Sequence, residues 1–298
     1  MNFFNLLEKL KRNDSSLILY CLLDRVPIIV YGDNQEEIDN FLIDLSDLIH
    51  FRKELVFYTD FISEIEYNEL IQNEHIDYNS QRIHIRCPSN VALKALNCFD
   101  QYNSWLIGFE ISRRYDKIIQ FINSIKKKIG CFLAISIYND LIEVKLEGIN
   151  YKFLDFDLEH EILQKISEDT EQSVIKMKRV LSEKIKSENF DDDLIKLLLD
   201  FESEKEILKR NILKKEIQNF YSGSKRAFFI FSRLNLLNNI NMNTKIGSKT
   251  LLETIDYADA SIERIISFIE KEWGEDFSNL IENGKKVNAL DSMQSLWG

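Results

Sequence analysis

Val26-Pro-Ile-Ile-Val-Tyr31, followed by Gly32, Asp33 and Asn34, is the stretch that decides the fold. Its β-branched run is too short for a helix and too apolar to lie in water, so it reads as a buried strand. Gly32 ends the strand. Asp33 or Asn34 then caps a helix that carries Ile38, Phe41, Leu42, Leu45, Leu48 and Ile49 on one face. A buried strand that runs straight into an amphipathic helix opens a mainly parallel sheet with helices on both sides.

The same grammar repeats downstream. Glu54 to Tyr58 reads as a second strand. Arg82-Ile-His-Ile-Arg-Cys87 alternates and stops at Pro88, which predicts a half-exposed strand with Arg82, His84 and Arg86 on its polar side. That side would form a small basic patch able to take an anion. Trp105-Leu-Ile-Gly-Phe109 is wholly apolar, as suits a central strand covered on both faces. A helix over Asp116 to Ile129 leads to a further apolar strand, Cys131 to Tyr138. Ile142-Glu-Val-Lys-Leu-Glu147 then predicts the outer strand of an edge hairpin. In it Ile142, Val144 and Leu146 face inward, and Glu143, Lys145 and Glu147 face water.

From about Leu158 the strand signals stop, and 161–187, 191–241 and 249–281 carry apolar residues at helical spacing. The expected architecture is α/β, a mainly parallel sheet with flanking helices and an antiparallel edge hairpin, followed by an α-helical domain. The seam is placed near 160, giving a degenerate nucleotide-binding-like α/β domain over 1–160 and a helical domain or arm over 161–298.

Composition agrees. The chain has 298 residues with only 9 Gly and 2 Pro, too few turn formers for an all-β sandwich or propeller. Its net charge of −11 repels phosphate backbones at long range, which makes nucleic acid an unfavoured partner. Cys21, Cys87, Cys98 and Cys131 form no CxxC pair, so they read as reduced thiols in a cytoplasmic protein. Phe3, Leu6, Leu7 and Leu10 make a helical stripe expected to dock on the protein's own core, and no run is long enough to span a bilayer.

In an open parallel sheet, ligands bind beyond the carboxyl ends of the strands. The residues just past the expected strands are Gly32 and Asp33, then Asp60, then Glu110 and Ser112. If Asp33, Asp60 and Glu110 converge, they would hold magnesium or a phosphate-bearing ligand. The order apolar strand, Gly, helix resembles the beginning of a nucleotide-binding unit. A phosphate loop, however, needs GxxxxGK[ST], with amides to wrap the phosphate and a Lys to meet its charge. Here Gly32-Asp-Asn-Gln-Glu-Glu-Ile-Asp39 has no second glycine and no lysine, and it adds carboxylates instead.

Other motifs point to less. Asp140 with Glu143-Val-Lys145 is similar to the acid and ExK pairs of metal-dependent nucleases, but strand alternation already accounts for it. The four histidines, His50, His75, His84 and His160, form no HExxH, and no GxSxG elbow occurs. No catalytic set and no cofactor is therefore assigned. Phe220 to Phe231 interleaves aromatics with cations, and Lys214, Lys215, Lys225, Arg226 and Arg233 are its candidate nucleic-acid contacts. Helical burial of that apolar segment is the competing expectation. The leading functional expectation is a non-enzymatic interaction or regulatory protein that meets another protein through its helical domain. A nucleotide- or metal-binding switch or enzyme is the alternative.

Overall fold

The computed structural model describes residues 7, 10–60, 65–66, 69, 81–96, 104–112, 115–138, 141–148, 154–185, 192–242 and 244–282. Compact packing divides the chain into two units, 1–218 and 219–298.

The first unit opens with α1 (Arg12–Leu23), β1 (Ile28–Gly32) and α2 (Gln35–Leu48). Then come β2 (Lys53–Val56), β3 (Ile83–Cys87), the single turn α3 (Ala92–Ala95), β4 (Trp105–Glu110) and α4 (Tyr115–Ile129). The hairpin β5 (Phe132–Tyr138) and β6 (Leu141–Glu147) completes the sheet. The strand order is β2-β3-β4-β1-β5-β6, parallel throughout except for the β5–β6 pair. The expected fold class is present.

Strands covered on both faces are apolar on both faces. β4 and β5 are buried over 105–109 and 132–138, and Ile28, Ile29 and Val30 of β1 are fully buried. One sheet face packs Ile29, Ile85, Ile107 and Phe132 with Ala92 and Ala95 of α3 and Ile125 of α4. On the other face α2 lies close to β4: a Cβ on Gly108 would come within 2.7 Å of Ile38 Cγ2. Asp39 ties α2 to the turn after β3, accepting from the Ser89 amide at 2.9 Å and the Ser89 hydroxyl at 3.1 Å.

Two expectations are corrected. β3 is not half-exposed, because it lies between β2 and β4 with α2 over its polar side, and Arg82 and His84 are both buried. On β6, Glu147 is buried rather than in water, since Lys126, 3.1 Å away, and Lys145 both pair with it. Burial works against its charge, and the two lysines still hold the Glu147 carboxyl below the usual range.

Helices take over at α5 (Asp157–Ile185), close to the expected seam, followed by α6 (Asp192–Leu198) and α7 (Glu202–Asn239). Leu158, Ile162, Ile166, Thr170 and Val174 make one buried stripe along the first part of α5. Lys165 with Glu216 (4.0 Å) and Lys205 with Glu171 (3.7 Å) show α5 and α7 running antiparallel, side by side. Arg210 pairs with Asp44 at 2.6 Å and Lys214 with Asp47 at 2.5 Å, which fixes this part of α7 on α2. The compact units thus divide well beyond the start of the helices.

The second unit holds the later part of α7, α8 (Ser248–Ile255), α9 (Ile262–Trp273) and a 3₁₀ turn over Ser278–Leu280. Its core is aromatic, with Phe228 stacked on Trp273 at 4.8 Å and Phe220 edge-on to Phe268 at 4.8 Å. α7 continues unbroken through Gly223. That glycine admits Tyr257, whose Cβ would stand 2.8 Å from an added side chain. Phe3 and Leu6 of the N-terminal stripe and Cys98 lie outside the described residues.

Candidate functional site

The crevice that the topology offers lies where β1 and β4 end side by side. From β1 the chain crosses toward β2 at one edge, and from β4 it crosses β1 toward β5. Their helices α2 and α4 cover opposite faces, so the loops after β1 and β4 part at this point. Gly32 and Asp33 sit on one side of it, Glu110 and Ser112 on the other.

Local sequence disfavours an anion in the crevice. Only Asp33 and Asn34 separate β1 from α2, too short a turn to wrap a phosphate. The first amides of a helix are its anion-binding groups. Here Asn34 Oδ1 accepts from the Glu36 amide at 3.1 Å and the Glu37 amide at 3.3 Å. Glu36 and Glu37 themselves lie in the first turn, where the helix dipole favours their charge. Behind them the wall is sealed: the Ile111 amide donates to the Gly32 carbonyl at 2.7 Å, and the Tyr138 hydroxyl to the Ile111 carbonyl at 2.9 Å. Gly32 itself is buried against β5, with no room for a side chain. Replacing Asn34 with Ala is expected to cost about 1 kcal/mol through the lost cap. Urea unfolding of the two proteins measures it.

The carboxylates do not converge. Asp33 and Glu110 share the crevice, but Asp60 follows β2, three strands along the sheet from β1. At about 4.8 Å per strand that is roughly 14 Å away. Asp60 instead closes its own turn, its Oδ2 accepting from the Val56 amide at 2.6 Å. Among the described residues no group of three His, Cys, Asp or Glu side chains could hold a metal ion. Of the nuclease-like set, Lys145 is committed to Glu147, and Asp140 lies outside the described residues.

The cationic aromatic segment is taken up by packing. Phe220, Phe228 and Phe231 are buried, which leaves no ring platform on which those three could stack a base. Lys214 pairs with Asp47, Lys225 lies over the Tyr221 ring, and the Arg226 guanidinium donates to the Ile255 carbonyl at 2.7 Å. Lys215 and Arg233 are exposed on α7.

One cluster escaped sequence reasoning because its members lie on three elements. Ser46 of α2 donates to Glu54 Oε1 at 2.6 Å and stands 2.6 Å from His84 Nε2; Glu54 also accepts from Arg86 Nε at 2.5 Å. With its single hydrogen given to Glu54, Ser46 must accept from His84 Nε2–H. The imidazole therefore cannot draw a proton from that hydroxyl, and at 1% exposure no substrate reaches it. Burial, with Arg52 next in effect, depresses the His84 pKa to about 3, so the ring is neutral. Burial opposes the Glu54 charge, but Ser46 and Arg86 hold that carboxyl below the usual range. The cluster is a buried structural knot, in which His84 Nδ1 alone has no hydrogen-bond partner among the described residues.

The second unit carries an open groove of about 880 Å³ bordered by Ser222, Arg226, Lys249, Glu253, Asp256 and Asp259. Its charges are of both signs, and Arg226 is already engaged by Ile255. No helix among the described residues is long and apolar enough to cross a membrane. No family model, no curated protein and no solved structure matches this chain.

Proposed function

We propose that this protein is a cytoplasmic interaction or regulatory protein, in which a sheet domain without a working phosphate loop carries helices that bind another protein. The observation that supports this most directly is the Asn34 side chain seated on the amides of Glu36 and Glu37, where a phosphate would otherwise bind. The apolar residues left in water on the helices favour contact with a partner: Leu197 is 71% exposed, Ile207 63% and Ile175 62%.

Thermal unfolding with and without millimolar Mg-ATP or Mg-GTP tests the reading. A ligand at a hundred times its Kd adds about 2.7 kcal/mol of stability, and no shift is expected here. A shift that Asp33→Ala or Glu110→Ala abolishes would establish the nucleotide- or metal-binding alternative instead. Affinity capture of the full chain from its native cells, expected to recover a stoichiometric partner protein, is the positive arm.

A further inference from the structure

We propose that the far end of the α5–α7 hairpin is a self-association surface, on which the same end of a second copy of this chain seats about a twofold axis. This rests on reading the helical region as a contact surface, and names its occupant. Beyond Val174 the buried stripe of α5 gives out, with only Ile185 buried further along among the described residues. Leu194, Leu197 and Leu198 of α6 fall at i, i+3 and i+4, and all three are exposed. Ile175 and Val180 of α5 and Ile207 of α7 are exposed toward the same end. Together they offer on the order of 500 Å² of apolar side chain, most of the roughly 800 Å² that a standard interface takes from each partner.

Charge selects a second copy as the occupant. Over 175–185 Lys176, Lys178, Arg179 and Lys184 outnumber Glu183, whereas over 192–207 six Asp and Glu outnumber Lys196 and Lys205. The ion pairs that join α5 to α7 lie nearer the sheet, at Lys165–Glu216 and Lys205–Glu171. Lys176, Lys178 and Arg179 have no ion partner among the described residues. A twofold axis lays the basic α5 of one copy on the acidic α6 and α7 start of the other, and repeats the match in reverse.

Sedimentation equilibrium of the full chain at low salt is the test. The expected mass tends to twice 35.2 kDa as concentration rises, and Leu194→Asp with Leu197→Asp returns it to the monomer. Lys178→Glu with Arg179→Glu weakens association by about tenfold or more, and adding Glu204→Lys with Glu206→Lys to that same chain restores it to within about threefold. Unchanged circular dichroism in each variant shows that the fold is intact. A monomer at every concentration, a dimer indifferent to the leucine substitutions, or a charge exchange that fails to restore association each overturns the proposal. A monomer leaves the broader contact reading to the capture experiment, which can still recover a different protein.

Discussion

Lowering the pH from 7 to 5 is expected to remove about 2 kcal/mol of folding stability, and His84→Gln is expected to abolish most of that loss. The unfolded ring takes its proton near 6.5, and the native one only near 3. Between those values the unfolded chain binds a proton that the folded chain excludes, so stability is full above about 6.5 and falls as the pH drops. Each pH unit is worth about 1.4 kcal/mol, and the 1.5 units between 6.5 and 5 give the stated loss. The groups around the ring mostly push the same way: Arg52, Arg25 and Arg86 disfavour a second cation, and only Glu54 favours it. Glu54 and Glu147, held below 4.5, add their own acid loss only at lower pH, which makes the window from 7 to 5 a reading of His84. Gln can still donate to Ser46 but carries no titrating proton. Guanidinium unfolding at the two pH values settles it; equal stability in the wild type, or an undiminished loss in His84→Gln, refutes the assignment.

Gly32→Ala should be the most damaging single-methyl addition in the sheet, costing about 3 kcal/mol or more. A Cβ there would stand 2.1 Å from the Ile137 carbonyl oxygen, which is backbone and already part of the β1–β5 pairing. Relief requires moving two central strands apart. Gly108→Ala makes the control, because its Cβ meets the Ile38 Cγ2 methyl at 2.7 Å, a side-chain end that can shift. Its expected cost is on the order of 1 kcal/mol. If denaturant midpoints rank the two variants equally, the close approach of β1 to β5 does not constrain Gly32. The glycine that opens a nucleotide-binding-like turn thus serves strand packing.

Much of the fold could be read directly. Trp105 to Phe109 and Phe132 to Tyr138 lie in central strands because only a position covered on both faces tolerates so nearly unbroken an apolar run. The capping role expected of Asp33 or Asn34 falls to Asn34, whose oxygen reaches the second and third amides of α2. In β3 the alternation predicts one wet face, but the strand is covered on both sides. Its polar side instead faces α2: Arg82 and His84 are buried there, and Ser46 and Glu54 link His84 to Arg86 across three elements. The basic and aromatic stretch at 220–231 was legible as a helix but ambiguous as a surface, since burial depends on what packs against it.

Local order determined the succession of strands and helices, the edge hairpin and the absence of a phosphate loop, because these follow from backbone propensity, apolar period and the length of one turn. The order of strands in the sheet is set by packing between segments far apart in the chain. Only that order could place Asp33 beside Glu110, strand Asp60 at the far edge and shut His84 away from water.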